Sequence, residues 1–394
     1  MRIAILTSGI LPVPATRGGA VENLIDFYLE YNDQHQLHDI TVYSVDDEEA
    51  MHHPALQSSV NHYHFIEVRS FIAKVLKNFR HLLNRKEYYH YTIEYYFERA
   101  LRNITEQDYD MVIIENRPGY GLKIPMKKNM KVVYHIHNDF LNAQTRYAQD
   151  IYDRADGIIT VSEYIRQRVL TIEILDKKCK KVFNGIDLSA FSRHPEEGVT
   201  RKEHGLADDD LVLLFSGRVN AEKGVLELID AMNILKTEPA IKLMVIGSSF
   251  YGNTDFEDEF LTTLKEKAAP LADRIIFTGF VPYQRMPDYL AMADVAVIPS
   301  VWDDPFPTTV LEAQAMGLPV IATRRGGIPE EVTPETAILL DTDKNLVQNL
   351  ANAILDLYHH PERRAAMSKA AISHATFFNK ERYAKDFFDT IASF

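Results

Sequence analysis

Two acidic side chains flank a predicted helix start in the segment 299–330. Asp304 and Glu312 are eight positions apart, and the loop between them ends at Pro307, before a helix that should begin at Thr308. Backbone N–H groups at a helix start attract a phosphate, whereas carboxylates repel one. We therefore interpret Asp304 and Glu312 as acceptors of hydrogen bonds from sugar or ribose hydroxyl groups. The alternative is a surface loop with two solvated acids, which the spacing alone fits equally well.

Short apolar strands should position these acids. Residues 295–299 and 320–323 are rich in Val, Ile and Ala, as buried parallel strands are, and Gly317 ends the helix between them. A loop follows each strand. Both loops should therefore lie at the carboxyl edge of one parallel sheet, where open α/β sheets bind ligands.

Two cations follow another predicted strand of the same half of the chain. Residues 211–215 are apolar, Arg218 and Lys223 lie in the turn behind them, and a helix should run over 225–235. Arginine offers a rigid fork of donors and lysine a compact charge, which together suit a leaving nucleotide diphosphate. Ordinary solvated surface cations are the alternative.

A similar strand, turn and helix open the chain. Residues 2–6 form a predicted strand, Gly18 and Gly19 lie in the following loop, and a helix should begin near Ala20. This arrangement cradles phosphate groups in Rossmann-like domains, although the glycine pair could simply form a turn. The glycine spacing differs from the dinucleotide-binding pattern, which argues against a nicotinamide enzyme.

A histidine marks the end of a further strand. Residues 131–137 are predicted to form it, and strand alternation places His135 and His137 on the same side, with His137 at the carboxyl tip. A histidine at such a strand end is a candidate site residue, because its charge and hydrogen bonding are tunable. A purely structural histidine is the alternative.

Together these segments resemble the glycosyltransferases of family 4. Glu312, the Gly-Leu-Pro-Val segment 317–320 and the Gly-Gly-Ile-Pro-Glu segment 326–330 are similar to the family's donor-sugar signature. In that signature Asp304 replaces the usual glutamate with a side chain one methylene shorter. Residues 217–224 resemble the family's diphosphate-binding loop. The resemblance implies the GT-B fold, an α/β architecture in which two Rossmann-like domains face each other across a cleft.

The resemblance also implies a function. It is the transfer of a sugar from a nucleotide-diphosphate sugar, with UDP favoured, to a glycan, lipid-linked or other hydroxyl acceptor. Family members are usually retaining hexosyltransferases of the EC 2.4 class, and because cations neutralise the diphosphate we expect neither a metal ion nor a cofactor. The segments 11–14, 17–20 and 116–118 resemble most the spore-coat-type branch, which points to polysaccharide biosynthesis. The implied roles are catalysis for His137 and Asp304, donor binding for Gly18, Gly19, Arg218, Lys223, Phe306, Pro307, Thr308, Thr309 and Glu312, and acceptor contact for Asn116 and Arg117.

Other functions on this fold stay open. An epimerase is one, and a phosphorylase would need a pyridoxal-binding lysine that the sequence does not display. A non-catalytic nucleotide-sugar binder or structural coat protein is another. Arg218, Lys223 and Glu312 argue against lost activity, whereas Asp304 in place of glutamate leaves it open.

Length and charge agree with a two-domain enzyme. The 394 residues exceed the size at which one hydrophobic core keeps growing. We predict an N-terminal domain over 1–190, a C-terminal domain over 195–375, and a last helix within 376–394 that packs back on the first domain. The net charge of −13 argues against nucleic acid as a partner. The single cysteine, Cys179, excludes an intramolecular disulfide and fits a reducing compartment.

The segment 69–102 contrasts with the acidic remainder of the chain. It holds eight Lys or Arg residues against three Glu residues, interleaved with aromatic and aliphatic side chains. Such a basic amphipathic helix can lie against an anionic membrane, although a surface helix with its apolar side on the core is the competing interpretation. The sequence has no apolar run of about 20 residues. We therefore expect a cytoplasmic protein with peripheral membrane contact through 69–102.

Overall fold

A computed structural model describes residues 1–71, 73, 75, 76, 79, 91–174, 177–192, 200–248 and 259–394. The chain divides into two compact units. The first comprises Met1–Gly185 and Lys380–Phe394, and the second comprises Ile186–Asn379. The predicted helix within 69–102 lies partly outside the described residues, as does the polar segment 192–210, which the sequence predicts to be the hinge between the two domains.

The first unit is built on one parallel sheet. In the described part of the chain this sheet has seven strands in the order β3-β2-β1-β4-β5-β6-β7, and every pairing is parallel. Strands β1, β4 and β5 are almost entirely buried because helices cover both faces of the sheet. The strands are β1 (Arg2–Leu6), β2 (Asp39–Val45), β3 (Asn61–Ile66), β4 (Met111–Glu115), β5 (Lys131–Ile136), β6 (Gly157–Thr160) and β7 (Cys179–Lys181).

The C-terminal helix Lys380–Ala392 packs on the first helix of the chain, Ala20–His35. Tyr28 stacks on Phe387 with ring centroids 4.2 Å apart. The return helix begins at Lys380, whereas residues 376–379 belong to the second unit because the Ile186 N–H donates to the Phe378 carbonyl. The other α-helices of this unit are Tyr91–Glu106, Ala148–Arg154 and Glu163–Leu170, and its 3-10 helices are Ala50–His52, Pro54–Gln57 and Pro118–Lys123.

The second unit has a smaller parallel sheet. Its described strands follow the order β10-β9-β8-β11-β12-β13, again with parallel pairing throughout. Strands β11 and β12 are neighbours, as the two predicted loops require. The strands are β8 (Leu211–Ser216), β9 (Ile241–Ile246), β10 (Ile275–Gly279), β11 (Val295–Ile298), β12 (Val320–Thr323) and β13 (Ala337–Leu340).

One helix of the second unit differs from the sequence prediction. The sequence predicts a helix over 289–294, but the helix runs over Met286–Leu290, because Pro287 favours a helix start and the Asp294 N–H pairs with the Val212 carbonyl. The remaining α-helices are Val225–Ile234, Glu259–Ala268, Thr308–Ala315, Leu346–His359 and Pro361–Ala375. The 3-10 helices are Arg201–His204, Ala221–Lys223, Ala269–Leu271, Tyr283–Arg285, Ile328–Glu330 and Thr376–Phe378.

Among the helices of the described residues, none combines the length and the apolarity that crossing a membrane requires.

Candidate functional site

A glycine brings the loop after β8 against the end of β11. Gly224 has φ +71°, and a Cβ atom there would lie 1.9 Å from the Pro299 carbonyl oxygen, so only glycine permits this approach. The Val301 N–H donates to the Glu222 carbonyl at 2.9 Å across the same contact. The loop therefore delivers Lys223 to the carboxyl edge of the sheet.

Lys223 forms an ion pair with Asp304 at this edge. The side chains are 18% and 7% exposed, so the pair is partly shielded but reachable. The ammonium group also lies 5.8 Å from the Trp302 ring centroid, and the Ser300 hydroxyl is 3.4 Å from Asp304 Oδ2. Because an ammonium group has three N–H donors, Lys223 can keep Asp304 and still bind a phosphate oxygen.

The glycine pair after β12 holds the Asp304 loop in place. Gly326 has φ +55°, and a Cβ atom there would lie 2.1 Å from the Asp304 carbonyl oxygen. The Gly327 N–H donates to the same oxygen at 2.7 Å. The two loops thus lie side by side, and their backbones are in direct contact.

The helix Thr308–Ala315 begins next to Asp304 without a side-chain cap. Its N-cap residue is Pro307, whose side chain cannot accept a hydrogen bond, so the first N–H groups, at Thr308 and Thr309, remain available for an anion. Phe306 is buried and its ring lies 6.0 Å from that of Phe378, so its side chain belongs to the core and only its backbone is placed to meet a ligand.

Glu312 lies one turn into this helix and is buried. Burial raises the pKa of its carboxyl group to about 7, and a hydrogen bond from Thr308 opposes the shift. Because this pKa lies near neutral pH, hydroxyl groups that donate hydrogen bonds to the carboxylate would favour its ionised form.

The two predicted cations differ in their surroundings. Lys223 is paired, whereas the half-buried Arg218 has no side-chain hydrogen bond or ion pair with any described residue. An unpaired guanidinium at a strand end is a ready site for a bidentate anion.

Glu331 is a buried acid that sequence reasoning missed. It is fully buried, and neither carboxylate oxygen has a hydrogen-bond partner among the described residues. Burial raises its pKa well above the usual range, the charges of Asp304 and Glu330 raise it further, and Lys223 opposes them. In the sequence Pro-Glu-Glu resembles a solvated turn, so no local signal marks this residue.

A second polar cluster occupies the first unit, where β4 and β5 end. The buried Glu115 carboxylate contacts both predicted histidines: His135 Nδ1 lies 3.1 Å from Oε2, and His137 Nε2 lies 2.8 Å from it. The Tyr28 hydroxyl donates to Oε1 at 3.0 Å. The imidazole centroids are 4.1 Å apart, which confirms that the two rings share a side of β5.

Two groups of this cluster have pKa values that are shifted far from their usual range. Burial alone would raise the pKa of Glu115, but the neighbouring His135 and His137 outweigh it and lower the pKa to about 2. Burial lowers the pKa of His137 to about 4, the charge of His135 contributes, and Glu115 opposes the shift. Glu115 is thus a carboxylate and His137 a neutral imidazole at neutral pH.

The same three residues are the described group that could hold a metal ion. One ligand atom from each of Glu115, His135 and His137 lies within 4.8 Å of the others. Two His and one carboxylate suit a divalent transition metal. Hydrogen bonds already join these ligand atoms to one another, however. The expectation that no metal is required stays a prediction.

The Gly18–Gly19 loop leads into the helix Ala20–His35 as predicted, but an acid lies in its first turn. Glu22 is buried and accepts a hydrogen bond from the Ser8 hydroxyl at 2.9 Å. Burial raises the pKa of Glu22 to about 7. An ionised Glu22 would repel a diphosphate in this loop, so the loop is less suited to a phosphate than the sequence indicated.

The predicted acceptor residues support their neighbours. Asn116 adopts φ +57°, and its Oδ1 accepts from the His137 backbone N–H at 3.2 Å. The Arg117 guanidinium lies 5.3 Å from the Phe140 ring centroid. Asn116 therefore helps to hold His137, which gives it a structural role at the site.

The structure groups the predicted residues in two sets. Lys223 and Asp304 are in contact in the second unit, which also contains Arg218, Glu312 and the uncapped helix start, whereas Gly18, Gly19, Asn116, Arg117 and His137 belong to the first. The two candidate catalytic residues, His137 and Asp304, thus come from different units. Glu22, Glu115 and Glu331 are the additions that sequence reasoning did not single out.

Comparisons with known proteins agree with this division. The family pattern described as "Glycosyltransferase Family 4" matches residues 32–190, and "Glycosyl transferases group 1" matches residues 197–374. The protein YtcC of Bacillus subtilis, which carries the name of a glycosyltransferase, is 30% identical over 386 residues, covering 95% of this chain and 87% of its own. The chain belongs to glycosyltransferase family 4.

Other relatives of this family 4 glycosyltransferase bear on its branch and fold. Spore coat protein SA of Bacillus subtilis is 27% identical over 388 residues, covering 94% of this chain and 93% of its own. The crystal structure of Anabaena HepE in complex with UDP and glucose covers the whole of both chains with a TM-score of 0.75 and 21% identity. That likeness concerns the fold, and with the two parallel sheets it confirms the predicted GT-B class.

Proposed function

We propose that this glycosyltransferase moves a sugar from a UDP-sugar to a hydroxyl acceptor, with retention and without a metal ion. The observation that carries the proposal is the second-unit site, where Lys223 and Arg218 stand at strand ends beside the uncapped helix start at Thr308. Positive charge and orphan N–H groups are what a diphosphate needs, and the complex of HepE with UDP supports uridine as the base.

In this mechanism the second unit stabilises the leaving group. As the glycosidic bond breaks, negative charge grows on the diphosphate, and Arg218 and Lys223 neutralise it in place, an electrostatic contribution. Glu312 accepts hydrogen bonds from the ribose hydroxyls, and Asp304 orients the sugar hydroxyls while Lys223 remains its partner. The cations supply the charge that a divalent metal would otherwise bring.

Nucleotide titration tests the donor site. UDP at 100 times its dissociation constant should stabilise the protein by about 2.7 kcal/mol relative to the unliganded state, and GDP or ADP at the same concentration should stabilise it less. Hydrolysis of UDP-glucose should continue in the presence of a chelator, and a transferred sugar should keep its anomeric configuration by NMR. Equal shifts with all three nucleotides would contradict the assignment of uridine, and activity restored only by magnesium or manganese would contradict metal independence.

A second candidate is a non-catalytic coat protein on the same fold. The similarity to spore coat protein SA favours it. It would bind UDP but release none from any UDP-sugar, whereas the enzyme should do both. Turnover of a panel of UDP-sugars separates the two.

We also propose that the acceptor is presented at an anionic membrane surface through the segment 69–102. Phe71, Val75 and Phe79, each four residues apart on described helical positions, are all exposed, and Phe71 is 80% exposed. Ala73 between them is buried, so the apolar stripe faces away from the core. Arg69, held by Asp47 at 3.7 Å, adds an exposed cation that suits anionic lipid.

Sedimentation with vesicles tests this contact. The protein should pellet at low salt with phosphatidylcholine vesicles that contain phosphatidylserine, and less with phosphatidylcholine alone. The double substitution Phe71→Ser and Phe79→Ser should reduce pelleting. Ile174→Ser, at a similarly exposed apolar position of the first unit, should not. Equal pelleting of all three proteins would leave 69–102 as an ordinary surface.

A further inference from the structure

The hydrogen bonds around Glu115 determine which nitrogen of His137 carries the proton. A carboxylate offers only acceptors, so each neighbour in contact with it must donate. The Tyr28 hydroxyl donates to Oε1 at 3.0 Å, His135 donates through Nδ1–H, and His137 donates through Nε2–H at 2.8 Å. A neutral imidazole has a single N–H, which leaves the lone pair of His137 on Nδ1.

We propose that Glu115 is a positioning residue that holds His137 as the Nε2–H tautomer, so that Nδ1 accepts a hydrogen bond from a sugar hydroxyl. The inference rests on the proposed function for the identity of the ligand, but the tautomer itself does not depend on it. A lone pair on Nδ1 repels phosphate oxygens and attracts an O–H group. His137 therefore recognises the sugar and makes no bond to the diphosphate.

The surroundings of the cluster favour this arrangement over a charged imidazole pair. Nε2 of His135 is buried without a hydrogen-bond partner among the described residues, so no polar group on that side compensates for additional positive charge in the cluster. The His137 side chain is 4% exposed, so its own protonation would also bury charge. The Asn116 amide oxygen accepts a hydrogen bond from the His137 backbone N–H at 3.2 Å, which holds the backbone from which the ring reaches Glu115.

Nitrogen NMR of protein labelled at histidine reads the tautomer directly, with the His137 signals assigned by their loss in His137→Ala. In the unliganded protein, Nε2 should show the shift of a protonated nitrogen and Nδ1 that of an unprotonated one. Tyr28→Phe, which removes only the contact at Oε1, should leave this pattern unchanged. A proton found on Nδ1, as coordination of a metal ion by Nε2 would require, overturns the proposal.

Variants at Glu115 connect the tautomer to turnover. Glu115→Ala should give averaged nitrogen shifts and lower kcat for UDP-glucose hydrolysis at least about tenfold, because loss of a carboxylate that fixes an imidazole tautomer costs up to about 10⁴-fold in serine proteases. Glu115→Asp keeps a carboxylate acceptor, so it should recover part of the separation between the two nitrogen shifts and part of kcat. It replaces Glu115→Ala in both measurements if the alanine variant does not fold. Unchanged turnover with averaged shifts would overturn the role in sugar recognition.

Binding of UDP separates this proposal from the function on which it rests. UDP has no transferable sugar, so its affinity should be the same in wild type and Glu115→Ala, while the additional affinity of UDP-glucose over UDP should fall in the variant. If wild type binds neither nucleotide, the proposed function fails and the tautomer result stands. If the additional affinity persists in the variant, the proposal about the sugar hydroxyl fails alone.

Discussion

The Glu115 cluster of the first unit and the Lys223–Asp304 pair of the second place a carboxylate beside nitrogen donors at strand ends. They differ in what remains available to a ligand. Glu115 is fully buried, and three donors occupy its oxygens. Lys223 is partly exposed and keeps N–H donors to spare, while Arg218 has no side-chain partner among the described residues.

This difference separates two kinds of recognition. In the first unit, three hydrogen-bond donors of the protein occupy the Glu115 carboxylate, so its charge is not available to a ligand. We expect the neutral imidazole of His137 beside it to suit a hydroxyl group. In the second unit positive charge and helix N–H groups face outward, which suits a diphosphate. A buried, satisfied network gives orientation, whereas a half-exposed ion pair leaves charge for a ligand.

Breaking the cation of the second unit should have the largest effect. Lys223→Ala should weaken UDP binding about 100-fold and abolish transfer without unfolding the protein, because a hydrogen bond to a charged group contributes about 1.5–3 kcal/mol. Calorimetric titration with UDP measures this. Lys267→Ala, which breaks the exposed pair with Asp230 at 2.7 Å in the same unit, is the matched control and should bind normally. Equal affinities for the two variants would place the diphosphate elsewhere.

Removing the ribose acceptor should cost less. Glu312→Ala should weaken UDP binding about tenfold or more, and should abolish transfer with the fold intact, because its carboxylate is expected to hold the ribose hydroxyls. Titration with UDP and 2′-deoxy-UDP gives the decisive readout: wild type should prefer UDP, and the variant should bind both alike. A variant that still discriminates between them would show that another group contacts the 2′-hydroxyl.

The change of donor affinity with pH should be smaller than the loss of affinity in Glu312→Ala. Hydroxyl donors favour the ionised form of Glu312, whose pKa is raised to about 7, so affinity should increase as pH rises. Between pH 6 and pH 8 the ionised fraction of a group with this pKa grows about tenfold, which bounds the change in affinity. UDP-glucose is the right probe because its diphosphate does not titrate in this range. Glu312→Gln should bind with little pH dependence, and an unchanged slope would assign the titration to another group.

The smallest effect should be on the stability of the first unit. The pKa of Glu22 is raised to about 7 in the folded state, so its contribution to the unfolding free energy is full below the unfolded pKa of 4.5 and declines as pH rises to about 7. Glu22→Gln should remove about 1–3 kcal/mol of this decline between pH 5 and pH 8. Its melting temperature relative to wild type should therefore be higher at pH 8 than at pH 5. Glu106→Gln, at an exposed position, should show no such difference.

Local patterns predicted much of the second unit. Strands β12 and β13 begin and end where the apolar runs do, and the spacing of Asp304 and Glu312 indicated two acids on either side of a helix start. Sequence-local signals succeed here because strand, glycine turn and helix follow one another within about 35 residues. The polar edge strand β3 was missed because its exposed side chains give it no continuous apolar run.

The first unit was predicted less well where contacts are distant in sequence. The sequence predicts a strand over 111–114 with Glu115 in the loop behind it, whereas Glu115 lies in the strand and contacts His137, 22 positions away. Glu22 belongs to a helix whose pattern is ordinary, and its pKa is raised by burial although the Ser8 hydroxyl donates a hydrogen bond that opposes the shift. Neither partner can be inferred from spacing, because parallel strands bring together residues from separate βα units.

The sequence by itself determined the two Rossmann-like folds, the family and the residue types at the strand ends. Hydrophobic periodicity and glycine positions act over a few residues, so they can be recognised without the fold. Only the tertiary structure decided which acids are buried, the pairing of Lys223 with Asp304 and the contacts of His137 with Glu115. These properties depend on burial and on partners many residues away, because desolvation and hydrogen bonding act through space and not along the chain.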